Sequence, residues 1–72
     1  MSAAPSLRLR DLRWRTYDTL RVHGGVTVLR QIAHDVETDT YWVRMGGPIR
    51  QLLAVDGIRL LAQAQHFRED RQ

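Results

Sequence analysis

The sequence predicts a small, mainly α-helical domain, and three observations lead there. Val28, Leu29, Ile32, Ala33 and Val36 recur at three- and four-residue intervals, the spacing that lines one face of a helix. Glycines punctuate the chain at Gly24-Gly25, Gly46-Gly47 and Gly57, and glycine is the usual residue just beyond a helix end. Residues 59–69 are rich in Leu, Ala, Gln and Arg, all good helix formers. The alternative is an α+β arrangement in which an N-terminal hairpin packs on a C-terminal helix.

The elements follow in chain order. Residues 1–6, Met1-Ser2-Ala3-Ala4-Pro5-Ser6, read as a disordered lead-in, residues 7–69 as one domain and 70–72 as a tail. Segment 7–23 supports two readings. Leu9, Leu12, Thr16 and Leu20 share a helical face, and Arg21, His23 and Gly24 suit a helix end. Leu7-Arg8-Leu9-Arg10 and Leu12-Arg13-Trp14-Arg15 alternate as a strand does. A helix is expected for the later part. Thr27 as N-cap and the apolar stripe above predict a helix over about 27–37. Glu37-Thr38-Asp39-Thr40 supplies turn and cap residues, and a short helix is expected through Tyr41-Trp42-Val43-Arg44-Met45. Pro48 suits the first position of another helix, with Ile49, Leu53, Leu60, Ala64 and Phe67 on one stripe. Either one helix runs through Gly57, or Asp56-Gly57 divides it, with Ile58–Leu61 a possible short strand.

Size and composition exclude much. With 72 residues and no cysteine, the chain forms one small domain without disulfides or cysteine-based metal sites. A core this small is marginal, so a second copy is expected to share in stability. No run approaches the roughly 18 apolar residues of a membrane helix, and the start lacks the apolar stretch of a secretory signal. A cytoplasmic protein with no membrane partner is expected.

Charge is unevenly spread. All 11 cationic residues are arginine, whose planar fork suits phosphate and carboxylate. Arg8, Arg10, Arg13, Arg15 and Arg21 stand against only Asp11 and Asp18 in residues 1–21, whereas six arginines balance six acids in 22–72. The whole excess of +3 lies at one end. That distribution suits a nucleic-acid binder or a segment docking on an acidic protein.

Catalytic constellations are missing. The serines are Ser2 and Ser6, both in the lead-in, and there is no cysteine nucleophile. His34 and Asp35 are adjacent, so on a helix they diverge by about 100°. Asp35, Glu37 and Asp39 crowd a turn. His23, His34 and His66 lack metal-ligand spacing, and the glycine pairs lack the Gly-Lys-Ser/Thr sequel of a phosphate loop. No enzyme activity, metal or cofactor is expected.

The stretch from Gly25 to Gly57 resembles a helix-turn-helix. Ile32-Ala33 would end the first helix, with the small Ala33 where two helices approach. Val36 falls three residues later and Val43 is the inward residue of the second helix. Together with Ile49 through Ile58, the stretch is also similar to winged-helix regulators of bacteria and phages. The resemblance implies a repressor that binds duplex DNA as a homodimer by occupying an operator. Thr38, Thr40, Tyr41 and Arg44 would then meet base edges, Arg44 by two parallel hydrogen bonds to guanine. Arg8, Arg10, Arg13, Arg15 and Arg30 would meet phosphates, and Leu53, Leu60, Ala64 and Phe67 would form the dimer interface. The rival is a small inhibitor or adaptor with no nucleic-acid role, docking its arginine-rich first segment on an acidic protein. Strands within residues 7–32 accompany that rival.

Overall fold

The computed structural model describes residues 9–67 and is built on a four-stranded antiparallel sheet, not on a helical bundle. Strand β1 spans Arg15–Arg21, β2 Thr27–Asp35, β3 Thr40–Arg44 and β4 Arg50–Leu52, and one helix, α1, follows at Ala54–His66. The strands lie side by side in the order β1-β2-β3-β4. The protein is therefore α+β. The lead-in at 1–6, the tail at 70–72 and Arg8 lie outside the described residues. No described helix is long and apolar enough to cross a membrane.

The helix expected over 27–37 is the long strand β2. Its apolar spacing fits both structures, because a short apolar run reads equally as helix or strand; Leu29 is exposed and Val36 lies in the turn beyond the strand. Ile32 faces one side and Ala33 the other, and each is 0% exposed. β-Branched Val26, Thr27, Val28 and Ile32 favour this outcome. The same preference explains β3, where Tyr41-Trp42-Val43 pairs with β2 as His34↔Tyr41, Ala33↔Trp42 and Ile32↔Val43. Between them the turn residues Val36–Asp39 close a hairpin. Asp35 Oδ1 accepts the Glu37 amide at 3.2 Å, and Asp39 adopts φ 56°, a conformation that Asp tolerates better than most residues.

The helix expected for the later part of segment 7–23 is instead strand β1, Arg15–Arg21, whereas the alternating residues 9–14 before it lie outside any strand. Strand β1 pairs antiparallel with β2, with a shift between Thr16↔Gln31 and Asp18↔Arg30. Tyr17 is the extra residue of this β-bulge, which puts Tyr17 and Asp18 on the same side of the sheet. Pro48 starts no helix. It precedes the short edge strand β4, whose Arg50 pairs with Val43 and Leu52 with Tyr41.

Helix α1 runs through Gly57 unbroken and covers the face that carries Ile32, Tyr41 and Val43. Gly57 is buried where the helix crosses the Tyr41 ring, and a Cβ at Gly57 would collide with the Tyr41 side chain. Farther along, Gln63 Nε2 donates to the Tyr17 carbonyl at 3.0 Å, joining the helix to the bulge. Ala64 is buried and Leu60 and Phe67 half-buried against the sheet, whereas Leu53 is exposed. The four residues expected to form a dimer interface thus do not make one free surface, since most of that stripe serves this chain's own core.

The Gly57–Tyr41 contact generates a stability prediction. Gly57→Ala is expected to lower the unfolding free energy in urea by about 1–3 kcal/mol through overpacking, although alanine is the better helix former by about 1 kcal/mol. Ala62→Gly, on the exposed side of the same helix, should cost only about 1 kcal/mol.

Candidate functional site

The sheet face opposite α1 carries a polar and aromatic array centred on Arg44. Register puts Arg44 of β3 across from Gln31 of β2, and Gln31 across from Thr16 of β1, so the three side chains form a row across the strands. Arg44 Nε donates to Gln31 Oε1 at 2.8 Å. Gln31 Nε2 donates in turn to Thr16 Oγ1 at 3.2 Å. The Arg44 guanidinium also stacks over the Trp14 ring, 4.3 Å from its centroid. Trp14 is itself fixed, because its Nε1 donates to the Leu9 carbonyl at 3.1 Å and Leu9 is buried.

This arrangement holds Arg44 by its Nε edge and one flat face. Its Nη groups have no acceptor among the described residues. They border a groove of about 490 Å³ lined by Arg10, Thr27, Leu29, Gln31, Arg44 and Gly47, with no acidic side chain on its wall. Gly46, which bends the chain away from β3, has φ 72° and lies against Val28. A side chain there would be strained and crowded, so the wall of the groove is bare backbone. Two guanidinium groups, an amide and open backbone form a surface suited to an anion.

Elsewhere the charges are engaged internally. Asp18 accepts from Arg30 at 3.3 Å, Asp39 lies 2.9 Å from His34 Nε2 and Asp56 accepts from Arg59 at 3.1 Å. Arg10, Arg13, Arg15, Arg21, Arg44 and Arg50 form no ion pair with any described residue. Among the described residues no three His, Asp or Glu side chains cluster as metal ligands.

The predicted base-contacting residues are dispersed. Thr38 and Thr40 share a hydroxyl hydrogen bond of 2.7 Å at the β2–β3 turn, and Thr40 Oγ1 also accepts Trp42 Nε1 at 2.8 Å. Tyr41 is buried beneath α1 and stacks on His34 at 4.3 Å. Arg44 alone of the four reaches the groove. Successive strand residues point to opposite faces, which is why Tyr41 and Arg44 part company where a helix would have kept them together. Of the predicted phosphate contacts, Arg10 borders the groove. Arg13 and Arg15 lie by the C-terminal part of α1, near Phe67. Arg30 is on the opposite face, held by Asp18 and the Tyr17 ring.

Sequence reasoning missed Trp14, Thr16 and Gln31 as partners of Arg44. No local signal announced them: Trp14 precedes β1 and is positioned by its bond to the Leu9 carbonyl, and Thr16 and Gln31 meet Arg44 only through strand pairing.

Comparison of this chain with family models, with curated proteins and with solved structures finds no match. The helix-turn-helix resemblance has no counterpart in the fold, since the residues that carry it form β2 and β3.

The stacked pair has a direct test. A double-mutant cycle with Trp14→Leu and Arg44→Met, followed by urea unfolding, should give a coupling energy of about 0.5–1 kcal/mol. Arg44→Met alone should also change the Trp14 emission, because the cation leaves the ring.

Proposed function

We propose that the protein is a non-catalytic binding module that takes single-stranded nucleic acid against the Trp14 face of its sheet. The carrying observation is the Arg44 guanidinium, held between the Trp14 ring and Gln31 with its Nη groups free beside Arg10. Single strands are held by cationic grooves that follow the backbone together with flat groups on which bases stack. Arg44 and Trp14 supply both in one place, already ordered, which lowers the entropy lost on binding.

A duplex reader needs an element shaped for a groove. The outward side of α1 bears Val55, Ile58, Ala62 and Gln65, and its Arg59 is tied to Asp56, which makes it a poor candidate for the major groove. A second reading is favoured by β1, an edge strand carrying Arg15 and Arg21 without ion-pair partners. An acidic extended segment of another protein could add to that edge.

Fluorescence anisotropy with a labelled single-stranded oligonucleotide separates these readings. Binding should weaken with salt, the logarithmic slope being roughly 0.7 per phosphate contacted. Arg10→Ala and Arg44→Ala should each lower the slope by about one contact's share, and Arg59→Ala should leave it unchanged. Absence of binding at low salt, tighter binding to duplex, or indifference to Arg44→Ala overturns the reading.

A further inference from the structure

Helix α1 is too narrow for the sheet beneath it. The nine residues of β2 run about 30 Å, and a helix with its side chains is about 10 Å across. Gly57 rests on Tyr41 and Gln63 reaches the Tyr17 carbonyl, so α1 crosses the strands over one end of this face. At the other end lie Leu20, paired with Val28, and Met45, two residues beyond Val43. Leu20 is 39% and Met45 49% exposed, and Tyr17, Arg30, Val43 and Met45 border a hollow of about 310 Å³. We propose that a second copy of this chain covers that open end with the outer side of its own α1, in a two-fold dimer. The Trp14 array is on the opposite face, so the proposal does not rest on the single-stranded reading.

The outer side of α1 supplies what the open end lacks. Val55, Ile58 and Ala62 recur at intervals of three and four residues, which sets them in one line along the helix. That line faces away from the buried Gly57 and Ala64, and Val55 and Ile58 are 71% and 57% exposed. The chain therefore carries a helix face without a sheet and a sheet face without a helix. A two-fold axis sets each against the other twice, so both are buried together and assembly stops at two copies. The two helices then lie side by side between the two sheets. Either patch alone offers too few side chains for the roughly 800 Å² per partner of a stable interface, and joining the two enlarges it.

Charge and core size favour a second copy as the occupant. Asp18 offsets Arg30 on the open sheet, and Asp56 offsets Arg59 on the helix. Each patch is thus balanced within itself, and the two meet without leaving a buried charge unpaired. Arg50, exposed on the edge strand β4, stays at the rim, where interfaces are polar. Among the described residues the buried apolar side chains are Leu9, Ile32, Ala33, Tyr41 and Ala64, a small core for a chain of this length. Sharing the exposed apolar side chains between two copies enlarges that core.

The test is sedimentation equilibrium of the whole chain over a range of concentrations. The wild type should reach twice the mass of one chain. Ile58→Glu on the helix and Met45→Glu on the sheet should each weaken association at least about tenfold, because each buries a carboxylate in an apolar contact. Both positions are exposed in the single chain, and unchanged circular dichroism shows that the variants fold. An equimolar mixture of the two variants should associate more tightly than either alone, since a mixed dimer keeps one contact free of both substitutions. Thr19→Glu, exposed and paired with Leu29 on the opposite face, should change association by less than about twofold. A wild type that stays monomeric overturns the proposal and leaves the open end to a different protein. Sensitivity to Ile58→Glu alone means helix against helix, and to Met45→Glu alone sheet against sheet. Either result overturns it, as does a mixture no tighter than its components.

Discussion

The structure depends on strand β2 and on the register that it holds with both neighbours. Ile32, on the face beneath α1, and Ala33, on the opposite face beside Trp42, are consecutive and both fully buried. That condition sets the register with both neighbours, because a one-residue slip would exchange every side chain between the faces. Arg30 and Gln31 are next to each other in the chain and opposite in space. Arg30 pairs with Asp18 beside the Tyr17 ring, whereas Gln31 accepts from Arg44, which stacks over Trp14. The pleat of one strand thus places two fixed arginines, Arg30 and Arg44, on opposite faces of the sheet.

The remaining elements adapt to that central strand. Helix α1 approaches closely only because Gly57 has no Cβ where Tyr41 lies. The bulge at Tyr17 releases a carbonyl from the ladder, and Gln63 of the helix takes it. The irregularity of β1 is thus tied to the element that packs across it by an exposed hydrogen bond.

The C-terminal helix was legible in the sequence, because alanine, leucine and glutamine dominate it and no strand-like alternation competes. The sheet was not, for a physical reason. Apolar residues at 28, 29, 32, 33 and 36 satisfy a helical stripe, yet a short apolar run also fits a strand, and periodicity alone cannot separate them. The deciding information was in side-chain shape: Val26, Thr27, Val28 and Ile32 before the turn, then Thr40, Tyr41, Trp42 and Val43 after it. The arginine excess of the first segment was legible, and Arg10 from it borders the groove. Arg44 stood out in the sequence, but its surroundings did not, since Thr16 and Gln31 reach it through strand pairing and Trp14 through a stacking contact, all over long sequence separations.

Arg44 and Arg30 show two ways of fixing an arginine, with different electrostatic results. Arg30 is held by the carboxylate of Asp18, which cancels much of its field at a distance. Arg44 is held by an amide and an aromatic face, both of which carry no net charge. Hydrogen bonds to charged groups contribute about 1.5–3 kcal/mol and an exposed cation–π contact about 0.5–1 kcal/mol, so neutral partners suffice to order the side chain. Ordering without neutralising is the condition an anion-recognising arginine must meet, because an acidic partner would compete for the same Nη hydrogens. In a chain whose other described acids include three already engaged with Arg30, His34 and Arg59, the neutral cradle of Arg44 keeps its charge directed into the groove.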